Sequence, residues 1–92
     1  MTTTDPLDTR RRRLRFRAWH RGTKEADIMI GSFCDRHVDG WSADDIAWFE
    51  ALLEEQDVDI MAWAMGSAVA PQRLQGRLLD AFRRLDFMPK PE

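Results

Sequence analysis

One cysteine, two histidines and five scattered glycines leave this 92-residue chain few of the parts from which catalytic and cofactor sites are built. Cys34 has no disulfide partner within the chain, which points to a reducing compartment such as a cytosol or a mitochondrial matrix. His20 and His37 belong to no His-x-x-x-His or Glu-x-x-His pair, so no metal site is expected. Gly22, Gly31, Gly40, Gly66 and Gly76 are isolated. With no glycine-rich loop to cradle a phosphate, no stably bound flavin or nucleotide is expected either. Cys34 and His37, one helical turn apart, come nearest to an activated thiol. Cys34 flanks an apolar stripe, however, where free cysteine is usually buried and inert. No apolar run approaches the roughly 20 residues that span a bilayer, and the opening MTTTDPLD has no apolar signal-peptide core. These absences lead to the expectation of a soluble intracellular protein that is not an enzyme and does not insert into a membrane.

A chain this short makes one domain and buries only about 60–65% of its unfolded surface, so its core is small. The net charge of −2 conceals a block arrangement: residues 1–24 carry +6, residues 25–72 carry −10 and residues 73–92 carry +2. Such segregation often marks a charged interaction arm. RRRRLRFR joins charge to an aromatic, as RNA-contacting segments do, but the acidic remainder would repel phosphate at short range. No helix-turn-helix, RNA-recognition or zinc-finger signature accompanies it. A nucleic-acid-binding arm is the less favoured reading, beside a plain solvated or self-neutralising arm.

Periodicity predicts an all-α fold, a single small bundle of about five short helices between tails at residues 1–7 and 87–92, with the helical domain at 8–86. Asp8 is the expected N-cap of a basic helix that stops before Gly22, and Thr23 that of the next. Ala26, Met29, Ile30, Phe33 and His37 share one face of that second helix, which ends near HVDG, where Gly40 suits a positive φ. Ser42 and Asp45 form a capping box ahead of the stripe Ile46, Phe49, Leu52 and Leu53. Asp57 or Asp59 opens a short helix that stops at Gly66, and Pro71 suits the first turn of a last helix with Leu74, Leu78, Phe82 and Leu85 on one face. Of the four tryptophans, Trp63 is expected in the core. Trp19 and Trp48 fit no apolar face, and Trp19 adjoins an Arg-Gly corner of interface-like composition. From the residues alone, the chain reads as a small helical binding module.

The stretch Trp19-His20-Arg21-Gly22-Thr23-Lys24-Glu25-Ala26-Asp27 resembles the RGxxE signature of the SdhE family, the FAD assembly factors of succinate dehydrogenase in bacteria, with a homologous factor in mitochondria. His20 stands where the family often has arginine, and Ala26 where leucine is common. Later landmarks agree in order and spacing: Gly31-x-Phe33, Ser42-x-Asp44-Asp45 with Phe49-x-x-Leu52-Leu53, and Asp57-x-Asp59-Ile60-x-x-Trp63-x-x-Gly66, together about residues 13–66.

The resemblance implies a five-helix domain that is monomeric when free and lies in the bacterial cytoplasm, or the mitochondrial matrix of a eukaryote. It implies binding to the flavoprotein subunit of succinate dehydrogenase, and of fumarate reductase in some bacteria, and promotion of that partner's own covalent attachment of FAD. Some relatives carry the label of antitoxin to a membrane-associated toxin, which leaves a regulatory alternative. On this reading Trp19, His20, Arg21, Gly22 and Glu25 form the partner-binding corner. Gly22 would allow close approach of the partner's backbone, Arg21 would project outward, and Glu25 would accept the partner's donors. The bland alternative for the corner is an internal Arg21–Glu25 bridge.

Overall fold

The computed structural model describes residues 5–89. Five α-helices follow one another: α1 Pro6–Ala18, α2 Lys24–His37, α3 Ala43–Leu53, α4 Asp57–Met65 and α5 Arg77–Arg83. Single turns of 3-10 helix lie at Val38–Gly40 and Gln72–Leu74. The all-α expectation holds, with no strand among the described residues.

The local chemistry explains most of the boundaries. The Thr23 hydroxyl accepts from the Ala26 N–H at 3.2 Å and starts α2. Ser42 and Asp45 exchange the two reciprocal bonds of a capping box at 3.3 Å each. Gly66, at φ +79°, ends α4 in the left-handed conformation, and Ser67 N–H returns to the Ala62 carbonyl at 2.9 Å.

Five expectations are corrected. The N-cap of α1 is Asp5, not Asp8: its carboxylate accepts from Leu7 N–H at 2.9 Å, and Pro6 occupies the first turn. Asp8 pairs with Arg11 instead. Residues 5–7 therefore belong to the domain, with Leu7 packed against the core, while residues 1–4 lie outside the described residues. Gly40 takes no positive φ, because a 3-10 turn carries the chain on and Trp41 N–H bonds the Val38 carbonyl at 3.2 Å. The last helix starts at Arg77, since Pro71 (ψ 148°) and Gly76 (φ +139°) hold extended and left-handed backbone that no helix can include. Finally, Phe87 is buried and Met88 packs on the core, so the C-terminal tail does not begin at residue 87; residues 90–92 lie outside the described residues.

The core centres on Phe33 of α2. Its ring meets Phe82 of α5 at 4.9 Å, Phe87 at 5.1 Å, Trp41 at 5.8 Å and Phe49 of α3 at 6.0 Å. Trp63 is buried as expected, and so is Trp41. Trp48 is half-buried, and its indole N–H donates to the Leu74 carbonyl at 2.8 Å.

α1 is held differently. It buries Leu14 and Ala18 and packs Leu7 against the core, and its arginines supply polar contacts to the rest of the domain. Arg10 forms a fork on Glu50 of α3, at 2.5 and 3.2 Å. Arg11 donates to the Val38 and Trp41 carbonyls at 3.2 and 2.8 Å, satisfying acceptors just past the end of α2. Arg15 pairs with Asp39, and Arg17 with Glu54 at 3.0 Å. Much of the basic block is thus spent on the acidic block of the same chain, which is the self-neutralising arm.

Candidate functional site

The corner between α1 and α2 brings Trp19, His20, Arg21, Gly22 and Glu25 together, but in unequal roles. Arg21 does not project outward. Its Nε donates to Asp57 Oδ1 at 2.7 Å and its Nη2 to the Glu55 carbonyl at 3.1 Å. The guanidinium side chain is 12% exposed and Asp57 23%. Its backbone N–H donates to Asp27 Oδ1 at 2.6 Å. Arg21 therefore ties the α1–α2 corner to the start of α4, and the Arg21–Glu25 bridge does not form.

Trp19 is also committed within the fold. Its indole lies across α2 at Gly31, where an added Cβ would overlap the ring, and its N–H donates to Asp35 at 3.1 Å. Gly31 is thus the notch that lets α1 cross α2 closely, and Trp19 frames the corner more than it faces a partner.

What remains outward is narrower than the sequence implied. Gly22 has φ +130°, a conformation glycine adopts freely, and open space where a Cβ would stand. Glu25, in the first turn of α2, is exposed and has no bonding partner among the described residues. His20 is exposed, its Nδ1 2.6 Å from the Phe16 carbonyl and its ring stacked on Phe16 at 4.0 Å. A shallow groove runs between Trp19, His20, Gly22, Lys24 and Ile28. A permissive turn, a free carboxylate at a helix start and a groove beside them fit contact with another macromolecule.

Two supporting residues escaped sequence reasoning. Asp27 lies inside the quoted signature and Asp57 opens the Asp57-x-Asp59-Ile60 landmark, so both are in view. Nothing in the linear spacing paired either with Arg21.

Chemistry elsewhere is quiet. Cys34 is fully buried, and burial, reinforced by Asp35, pushes its thiol up to about 12. Burial also lowers the pKa of His37, whose Nε2 has no partner among the described residues. No group of three His, Cys, Asp or Glu residues among the described residues is placed to hold a metal ion. No helix of the described residues is long and apolar enough to cross a membrane.

Residues 12–86 match the family described as "Flavinator of succinate dehydrogenase". The chain is 43% identical over 68 residues to the FAD assembly factor SdhE of Acetobacter pasteurianus, covering 74% of this chain and 62% of that protein. It is 34% identical to the mitochondrial succinate dehydrogenase assembly factor 2 of Debaryomyces hansenii and 32% to that of Saccharomyces cerevisiae, each over 62 residues and 67% of this chain. It spans 44% and 38% of the lengths of those two yeast proteins. A match over so much of the chain, at these identities, is membership: this chain belongs to the SdhE family of succinate dehydrogenase flavinators.

Proposed function

We propose that the chain is a non-catalytic assembly factor. It binds the flavoprotein subunit of succinate dehydrogenase through the α1–α2 corner and promotes covalent attachment of FAD to that subunit. The observation that carries this reading is the division of labour at the corner: Arg21 is locked to Asp57, while Glu25 is exposed and unpaired among the described residues, beside the open turn at Gly22.

The chemistry belongs to the partner. A flavoprotein histidine must meet the flavin ring in reactive geometry, and holding reacting groups in place lowers a barrier by roughly 7–11 kcal/mol in the best intramolecular cases. A helper that stabilises the receptive arrangement needs no nucleophile of its own, and a buried thiol near 12 offers none. The setting is a reducing compartment, the bacterial cytoplasm or the mitochondrial matrix, and the flavoprotein of fumarate reductase is a second client of the same chemistry.

Co-expression of a flavoprotein subunit with and without this chain tests the reading. Covalent FAD survives denaturing electrophoresis and fluoresces in the gel. The expected result is a strong gain in fluorescence with the chain present, and its retention with the flavoprotein on affinity capture. Equal fluorescence in both arms, or recovery of RNA in place of the flavoprotein, overturns it.

A further inference from the structure

α1 carries six arginines, and the fold pairs Arg10, Arg11, Arg15 and Arg17 with carboxylates. Arg12 and Arg13 have no such partner among the described residues, and both are exposed. One helical turn further on stands Phe16, 65% exposed. Thr9, Arg12, Arg13, Phe16 and Arg17 line a shallow groove whose walls are largely apolar, the aromatic ring and the aliphatic stems of the arginines. Their spacing of three and four puts them on one helix face. His20 stacks on Phe16 at 4.0 Å and also lines the corner groove, so the two grooves run into one strip from Thr9 to Ile28. Thr9, Arg12, Arg13, Phe16 and His20 of this strip are exposed.

We propose that the outer face of α1 is a second docking surface for the flavoprotein subunit, continuous with the corner. It fits an acidic patch centred on an apolar side chain: Phe16 and the arginine stems cover the apolar group, and Arg12 and Arg13 meet carboxylates around it. This rests on the function proposed above. Exposed aromatics and arginines are the residue types that dominate protein interfaces. A protein partner is favoured over a phosphate polymer because residues 25–92 carry a net charge of −8, which repels a uniformly anionic backbone more than a patch of a few carboxylates. A second copy of this chain is disfavoured, because a two-fold pairing of this face sets Arg12 and Arg13 against themselves.

The test is titration of purified chain into purified flavoprotein subunit lacking covalent FAD, at low and high salt. The variants are Phe16→Ala, the double Arg12→Glu/Arg13→Glu, and Val69→Ala as an exposed apolar control outside the strip, each checked for an unchanged circular-dichroism melt. Both α1 variants are expected to weaken binding at least about tenfold, the double variant to lose most of the salt dependence, and Val69→Ala to match wild type. Wild-type affinity in both α1 variants overturns the second surface and leaves the proposed function intact. Failure of the wild-type chain itself to bind overturns both. Binding of single-stranded RNA or of phosphatidylglycerol vesicles that is abolished in the double variant, with flavoprotein affinity unchanged, overturns it in favour of a phosphate-binding face.

Discussion

Arg21 and Asp57, 36 positions apart in sequence, are joined at 2.7 Å, and this pair fixes the turn that carries Gly22 and Glu25. Because both side chains are largely shielded, removing either leaves a partly buried charge short of a partner. Arg21→Ala and Asp57→Ala are each expected to cost about 1–3 kcal/mol, and the double substitution less than their sum. In a domain of this size each kcal/mol lowers the Tm by about 4–8 °C, which circular-dichroism melts resolve. Loss of flavinylation in Arg21→Ala would therefore report on the fold of the corner as well as on contact.

Gly31→Ala sets two effects against each other. Alanine inside a helix ordinarily gains up to about 1 kcal/mol over glycine. Here the new Cβ would overlap the Trp19 indole, and overpacking of that kind costs about 1–3 kcal/mol. The clash is expected to win, with a lower Tm and a changed tryptophan emission as Trp19 is displaced. A rise in Tm would show that the indole moves aside freely.

At Gly22 the space is open and only the backbone objects. With φ at +130°, Gly22→Ala is expected to cost about 1 kcal/mol or more in urea unfolding, while still giving a folded helical domain.

His37 gives a pH signature. Burial holds its folded pKa below the ordinary value, with Arg36 adding to the effect. The unfolded chain then binds the proton more readily, so this contribution to stability is full above the unfolded pKa of about 6.5 and falls as pH drops through it. His37→Leu removes the unpartnered Nε2 beside Phe33 and is expected to be neutral or stabilising by about 1 kcal/mol and to flatten that acid limb. Unfolding curves at several pH values check this; an unchanged slope in the variant would assign the limb to other groups.

Cys34 should be silent. Fully buried, with its thiol held near 12, it is expected to react with a thiol reagent only at the rate of unfolding. Rapid labelling of the native protein would contradict the burial.

What the sequence made legible was local. Thr23, Ser42 with Asp45, and Gly66 each act on backbone within a few residues, and each marks a helix end where expected. The apolar stripes of α2 and α3 did the same for the core. The partners of charges were not legible, because any of eleven acidic residues in the middle block could meet an arginine until the helices cross. Arg21 with Asp57 and Arg10 with Glu50 are products of that crossing. Gly31 was hidden for the same reason: a glycine in a helix declares that something comes close, and only the fold shows that it is Trp19. Pro71 points to a helix start that the structure puts at Arg77, because proline suits an extended turn as well as the first turn of a helix.

Glu25→Ala separates contact from folding at the corner, since Glu25 is exposed and has no bonding partner among the described residues, so its loss reaches stability only through the start of α2, by about 0.3–1 kcal/mol. The measurement is in-gel flavin fluorescence of a co-expressed flavoprotein at matched, limiting levels of the chain, alongside a melt of the variant. The expected result is a folded variant whose Tm falls by a few degrees at most, with a strong loss of covalent FAD. A folded variant with wild-type fluorescence would remove the corner from the interface.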